Sequence, residues 1–275
     1  MRNEKYDALG KLLLGYGSAA VAFSGGVDST FLLTAAREVL GENAFAIFAD
    51  SPVVMEQERQ ECLAFCREKG IRLIRLTVTA EEMETSWENS PERCYYCKRL
   101  LFFKMKEAAG DAVLAEGTNV DDLSDYRPGI RALRELGIQS PLLAAGYTKE
   151  EIRRELRERN LKVWEKPAYA CLASRIPYGE MITEDKLRKI DRAEQGLRSL
   201  GFRQLRVRCL ERGTKGLEAR VEVLPEAVER LREAACFSEA EKIVREAGFS
   251  ALSVDPKGYR RGSLNRGLET IRTAD

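Results

Sequence analysis

Four short, almost unbroken apolar runs pass through the first half of the chain, separated by longer stretches with helical spacing. Residues 19–23, 44–49, 71–78 and 112–116 read as strands, and residues 29–40, 55–69 and 97–109 read as helices. A strand that is apolar on both faces needs cover on both faces, which a parallel sheet layered by crossover helices provides. The spacing therefore predicts an α/β fold with a doubly wound parallel sheet. Sheets of this kind bind ligands beyond the carboxyl ends of their strands.

After about residue 166 the rhythm changes. Thr183 has the chemistry of an N-cap, with Glu184 and Asp185 in the first turn behind it. Leu187, Ile190, Leu197 and Leu200 form one apolar face, and Gly201 ends the helix. "QLRVRCL" and "LEARVEVL" alternate apolar and charged residues, as half-exposed strands do. Pro225 opens a further helix, residues 239–247 form another, and "ALSVD" closes with a short strand. The expected organisation is a domain over 1–165 and a smaller α+β domain over 166–275. Residues 164–179 join them, and such a junction is a common place for a site.

Composition removes several classes of function. A net charge of +1 over 275 residues gives no strongly basic surface, so nucleic acid is not an expected partner. Neither a signal-peptide pattern nor a long apolar run is present, and we read the protein as cytoplasmic, with no membrane partner. The chain has no histidine, so Ser-His and Cys-His nucleophile pairs and imidazole metal ligands are excluded. The seven cysteines are odd in number, which suits reduced thiols or metal ligands better than a disulfide framework.

"VAFSGGVDSTFLL", residues 21–33, places two glycines, an acid and three hydroxyl residues between a strand and a helix. Gly25 and Gly26 let backbone N–H groups approach an oxyanion, and the helix expected near Ser29 adds its positive end. Ser24, Ser29 and Thr30 offer hydroxyl donors. Asp28 would repel a bare phosphate, which points to a Mg²⁺ ion between acid and phosphate. A plainer reading is a glycine turn with a Ser/Asp helix cap. The Gly-Lys-Ser/Thr ending of a Walker A loop is missing.

The stretch resembles the SGGxDS loop of the PP-loop ATP pyrophosphatases, which cleave ATP between the α and β phosphates and leave AMP on a substrate. By that resemblance "FADSP" corresponds to the adenine-contacting segment, with Ala49, Asp50 and Ser51 as ATP-binding residues. "EGTNVDD" is similar to the second nucleotide-side loop, which implies roles for Gly117, Thr118 and Asn119 at ATP and for Asp121 or Asp122 at the metal.

Cys94 and Cys97 in "RCYYCKR" are expected just before a helix, beside Arg93, Lys98 and Arg99, surroundings that favour thiolates. A CxxC alone fits a redox pair, half a zinc site or part of an iron–sulfur cluster. Cys171, in "KPAYACLASRIPYG", stands near Ser174 and Arg175; convergence of the three thiols would provide ligands for three irons of a [4Fe–4S] cluster. Cys62 and Cys66 are spaced i,i+4 on a helix and read as core residues, as do Cys209 and Cys236.

The order "SGGVDS", "ADSP", "RCYYCK", "EGTNVDD", "YRPG", "ACLASRIPYG", "LRVR" and "GYRRGSLN" resembles the LarE family of ATP-dependent sulfur transferases. The resemblance implies adenylation of a carboxylate of pyridinium-3,5-biscarboxylate mononucleotide and replacement of AMP by sulfur, for nickel-pincer nucleotide synthesis. Family members take sulfur either from a single sacrificed cysteine, matched here by Cys171, or through a [4Fe–4S] cluster on three cysteines. The presence of Cys94 and Cys97 favours the cluster. The resemblance further implies a catalytic set of Cys171, Asp28 and Arg175, and a homo-oligomer, a hexamer in relatives. Alternation puts Arg206 and Arg208 on one exposed face of their strand; the LarE pattern joins them with Glu194, Glu222 and Ser174 in a phosphate or substrate site. A solvated strand face is the rival reading. The turn in "CLERGTKGLEAR" departs from the histidine-containing turn of the family and leaves the register of Glu222 open. Two other functions fit the motifs: a tRNA thiolase with the same loop and cysteines, and a nucleotide- or metal-binding regulator without turnover.

Overall fold

The computed structural model describes residues 4–124, 128–167 and 170–260. Tyr126 and Arg127 of "YRPG", Ala168 and Tyr169, and the end of "GYRRGSLN" lie outside the described residues. The chain divides into two compact units, Met1–Thr85 with Cys94–Tyr169, and Ser86–Arg93 with Ala170–Asp275. No helix among the described residues is long and apolar enough to cross a membrane.

The first unit runs α1 (Glu4–Tyr16), β1 (Ala19–Ala22), α2 (Val27–Leu40), β2 (Ala44–Asp50), α3 (Glu56–Glu68) and β3 (Leu73–Thr77). The short α4 (Glu84–Trp87) and the long α5 (Arg93–Ala109) cross between the units. The first unit continues with β4 (Val113–Ala115), α6 (Pro128–Glu135), α7 (Pro141–Ala144) and α8 (Lys149–Glu158). The second contains α9 (Glu184–Ser199), β5 (Leu205–Glu211), β6 (Leu217–Val223), α10 (Val228–Arg232), α11 (Ala234–Glu246) and β7 (Ala251–Val254).

The sheet of the first unit is parallel in the order β3-β2-β1-β4, with Ala19 opposite both Ala44 and Val113. All seven residues of β2 are buried. Leu9, Phe31, Leu32, Tyr147, Ile152 and Leu156 form one core, while Phe45, Ile47, Phe102, Met105 and Leu133 form another. The α/β fold with a parallel sheet is therefore as the apolar runs predict. β1 has β2 on one side and β4 on the other, so the chain reverses its order around the carboxyl end of β1, where such sheets hold ligands. Cys62 and Cys66 are buried in the first core, where burial pushes their thiols up to about 12 and about 11.

Three helices begin earlier than their patterns suggest, among them α11, which starts at Ala234 rather than residue 239. α2 starts at Val27, which brings Asp28 and Ser29 into its first turn. α5 starts at Arg93, so Cys94 and Cys97 stand within its first turns rather than before it. A turn in which Arg93 N–H donates to the Ser90 carbonyl at 2.9 Å leads the chain into that helix.

The second unit holds a sheet of order β5-β6-β7, antiparallel between β5 and β6 and parallel between β6 and β7. Thr183 caps α9 as expected, its hydroxyl accepting from Lys186 N–H at 3.2 Å. Leu205, Val207, Cys209, Ala219, Val221 and Val223 are buried, as are Leu187, Ile190 and Leu197 of α9. Arg206 lies opposite Glu222, which settles the register across the unusual turn. α9 also packs on α11, where a Cβ at Gly196 would overlap the Cγ2 methyl of Ile243. Alanine normally stabilises a helix interior relative to glycine, but a β-branched neighbour has little room to give way. Gly196→Ala is thus expected to lower stability by about 1–3 kcal/mol, and Ile243→Ala added to it to recover part of that loss, in urea unfolding.

Candidate functional site

The turn after β1 is built for close backbone approach. Gly25 has φ of +66°, and a Cβ there would come within 2.8 Å of the Cys62 sulfur. Gly26 is the N-cap of α2, so the first-turn N–H groups face outward from the glycine turn. Ser29 Oγ stands 3.2 Å from Ser24 Oγ and 3.3 Å from Ser24 N. Lys166 Nζ donates to the Gly25 carbonyl at 3.0 Å and pairs with Glu61 at 2.6 Å, bracing the turn from behind. Thr30 is buried.

The loop after β4 closes on the same helix end. A Cβ at Gly117 would lie 3.0 Å from both Asp28 Cβ and Ser29 N, so only glycine allows this approach. Buried Glu116 organises the loop by accepting from Thr118 N at 3.0 Å, Thr118 Oγ1 at 2.8 Å and Ser140 Oγ at 2.5 Å. Asn119 N–H donates to Asp122 at 3.1 Å, and Asn119 Nδ2 donates to Asp28 at 3.2 Å. Lys149 at the start of α8 pairs with the other Asp28 oxygen, and its backbone N–H donates to Asp121 at 2.7 Å. Burial raises the Asp28 carboxyl above its ordinary value, with Lys149 and Asn119 opposing.

The expected nucleotide residues Ser24, Gly25, Gly26, Asp28, Ser29, Gly117, Thr118 and Asn119 thus gather at the carboxyl ends of β1 and β4, together with Asp122, expected at the metal. The β2 end is less uniform. Ala49 is buried, and Asp50 is engaged by Arg59 at 2.7 Å and Arg75 at 2.5 Å. The Ser51 hydroxyl is buried with no hydrogen-bond partner among the described residues.

Lys149 and Lys166 were not legible as site residues. The capping box from Thr148 to Glu151 is readable in "TKEE", but the return of Lys149 to Asp28, 121 positions earlier, is not.

In the second unit the charged groups lie inward. Arg175 is fully buried and forks onto Glu194, Nε to Oε1 at 2.8 Å and Nη2 to Oε2 at 2.9 Å. Glu194 also accepts from Arg198 at 2.9 Å and Val207 N–H at 3.0 Å. Burial raises the Glu194 carboxyl, but Arg175, Arg206 and Arg198 outweigh it and hold it below the carboxylate range. Arg208 forks onto Glu222 at 2.9 and 2.7 Å and donates to the Ser174 carbonyl at 2.6 Å.

Arg206 and Arg208 do share one strand face, yet that face is not exposed. Arg206 is 2% exposed. The Ser174 turn covers Arg208, and the Tyr259 ring stands 5.2 Å from the Arg206 guanidinium. Burial, with the neighbouring Arg175 charge, lowers Arg206 to about 10.

Cys171 is exposed and precedes the turn Leu172–Arg175. Its carbonyl accepts from Ser174 Oγ at 2.8 Å and Arg175 Nη1 at 2.9 Å. Cys94 and Cys97 are half-buried at i,i+3 on α5, a spacing that puts both thiols on one helix face. Among the described residues no group of three or more Cys, Asp or Glu could hold a metal ion.

A parallel α/β sheet with a glycine turn before α2, and a smaller mixed-sheet unit after it in the chain, are consistent with a PP-loop-like core and a C-terminal domain. No family model matches the chain. It is 33% identical over 259 residues to the pyridinium-3,5-bisthiocarboxylic acid mononucleotide synthase of Lactiplantibacillus plantarum, covering 92% of this chain and 91% of that one. The chain therefore belongs to this synthase family, LarE. A Synechocystis protein is 40% identical over 254 residues, covering 91% of this chain and 92% of its own length. A Methanocaldococcus jannaschii protein is 31% identical over 191 residues, 68% of this chain and 72% of its own.

The Arg175–Glu194 pair sets an acid limit on the second unit. A carboxyl lowered on folding stabilises above its unfolded pKa, and that contribution fades as pH falls through the folded value. Glu194→Gln is expected to cost about 3–5 kcal/mol at neutral pH, because it leaves Arg175 buried without its counter-charge. The variant's stability should also fall less steeply than that of the parent below about pH 4, as read from urea midpoints against pH.

Proposed function

We propose that this protein is an ATP-dependent sulfur transferase that converts pyridinium-3,5-biscarboxylic acid mononucleotide to the bisthiocarboxylic product. The observation that carries the reading is the two-loop cradle, with Gly25 and Gly117 allowing close approach at the N-terminus of α2. Donors there suit phosphate oxygens, and the unpartnered Ser51 hydroxyl suits a nucleotide. A substrate carboxylate attacks the α phosphorus of ATP, pyrophosphate leaves, and the acyl adenylate forms. Sulfur then attacks the acyl carbon, and AMP departs with the former carboxylate oxygen. The activation matters because a carboxylate resists attack by another anion, whereas AMP is a competent leaving group.

The residues fit a Mg²⁺ ion of the kind held by one or two carboxylates and substrate phosphates: Asp28 and Asp122 would hold it, and it would neutralise charge on the phosphates. Arg206 and Arg208 supply positive charge for an anionic substrate, and Ser174 stands on the turn beside them. The cluster rests on the family resemblance and not on a grouped site among the described residues: Cys94, Cys97 and Cys171 would be its ligands, and when bound it would supply sulfide at its remaining iron. Arg175 holds the Cys171 turn rather than leaving its fork open to substrate.

With ATP, Mg²⁺ and the biscarboxylic mononucleotide, the protein is expected to release one pyrophosphate per thiocarboxylate formed. No release with that substrate would overturn the reading, and release dependent on tRNA would replace it with a thiolase. Anaerobically purified protein should contain iron and labile sulfide, both lost on replacing Cys94, Cys97 or Cys171 by alanine. Turnover by iron-free protein, with Cys171 lighter by one sulfur, would establish the sacrificial route.

A further inference from the structure

The short piece of chain at 86–93 is anchored more firmly than a connector requires. Asn89 is fully buried and has φ of +58°, a left-handed conformation that asparagine tolerates better than other non-glycine residues. Its Nδ2 donates to the carbonyls of Pro177 at 2.6 Å and Glu180 at 2.9 Å, with Ile176 O at 3.3 Å. Its own carbonyl accepts from Gly179 N–H at 3.1 Å, while the Trp87 carbonyl accepts from Ile182 N–H at 2.9 Å. Arg93, also buried, donates through Nη1 to Asn89 Oδ1 and to the Ala173 carbonyl at 3.1 Å. Its guanidinium stands 5.2 Å from the Tyr178 ring.

Two side chains therefore hold carbonyls from 173 to 180, immediately after the exposed Cys171. Arg175 and Ser174 fix the Cys171 carbonyl itself. Unusual backbone held by partners on every side is a feature of turns that must present a functional group in one orientation. None of these hydrogen bonds is made to a residue of the β1 or β4 loops or to Arg206 or Arg208.

We infer that Asn89 and Arg93 are positioning residues for the sulfur step, holding the turn that carries the Cys171 thiol. Arg93 is also the residue before Cys94, the first cysteine of the CxxC pair. The role assigned to that turn rests on the sulfur-transfer reading above. Because the clamp acts on the turn and not on the cradle, it bears on sulfur delivery and leaves carboxylate activation alone.

The test separates the two steps. Asn89→Gly keeps a residue suited to the left-handed backbone and removes the amide, and Arg93→Lys and Arg93→Ala probe the second anchor. Pyrophosphate release in the first turnover, with ATP and the pyridinium biscarboxylic mononucleotide, is expected to stay within twofold of the parent. Thiocarboxylate formation should fall at least tenfold in Asn89→Gly and Arg93→Ala, with partial recovery in Arg93→Lys. In metal-free full-length protein, iodoacetamide should alkylate Cys171 at least threefold faster in Asn89→Gly, read by peptide mass spectrometry against Cys236. Parent-like thiocarboxylate formation, equal loss of both steps, or unchanged Cys171 alkylation would each overturn the inference. If the parent releases no pyrophosphate, the functional reading fails, and the alkylation rates still decide whether the clamp holds the turn.

Discussion

A carboxylate taken out of water must find a counter-charge or strong donors, and this chain has no histidine with which to meet that demand. Arginine and lysine meet it in most places, while buried Glu116 takes its donors from Thr118 and Ser140. Asp50 lies between Arg59 and Arg75, Glu194 is forked by Arg175, Glu222 by Arg208, and Asp28 is closed by Lys149. These pairs do different work. Asp50 and Glu194 are locked by several donors and fix backbone around them, whereas Asp28 is held by one flexible lysine and one amide. A lysine ammonium is a mobile point charge, so the Asp28 pair is the easier one to exchange for another cation.

The balance of charge in the second unit has a chemical meaning. Arg175, Arg198 and Arg206 act on Glu194, and Arg208 forks onto Glu222, in a partly desolvated place. Taking charge out of water there is costly, and Arg206 is lowered to about 10 first by burial and then by the neighbouring Arg175 charge. Glu222, bound to the fork of Arg208, keeps that guanidinium oriented instead of neutralising the face altogether.

Much of this was legible in the sequence, for reasons that differ by element. Buried parallel strands announce themselves because both faces must be apolar, and the glycine turn does so because few residues permit Gly25's positive φ. The N-cap at Thr183 was readable from local chemistry alone. The starts of α2 and α5 were misjudged because glycine and proline turns obscure where the first helical residue falls. The exposure of Arg206 and Arg208 was misjudged for a deeper reason. Strand alternation says which residues share a face, but a covering turn from 30 or more positions earlier decides whether that face meets water. The contacts of Lys149, Asn89 and Arg93 are long-range in the same sense, and no local pattern encodes them.

The thiols show how the fold sorts chemically identical groups into different fates. Cys62 and Cys66 lie in an apolar core, and Cys209 on the buried face of its strand, where burial pushes Cys62 and Cys209 up to about 12. A thiol in that state is a packing group, since the nucleophile and metal ligand is the thiolate. Cys62 has a steric duty besides: its sulfur occupies the space a side chain at Gly25 would need, which keeps the phosphate turn glycine-only. Cys94 and Cys97 stand instead in the first turns of a helix, where backbone N–H groups lack intrahelical partners, and Cys171 is open to solvent. Burial alone withdraws Cys62, Cys66 and Cys209; Cys236, expected as a core residue, is only half-buried, and Cys94, Cys97 and Cys171 are the three that the sulfur-transfer reading uses. Of those three, Cys171 alone sits on a turn whose carbonyls are gripped from two directions, by Arg175 within the turn and by Asn89 and Arg93 from a distant segment. A thiol that only needed to be accessible would not require so rigid a support; a group that must keep one orientation would, because misplacement by an ångström is enough to forfeit much of a rate.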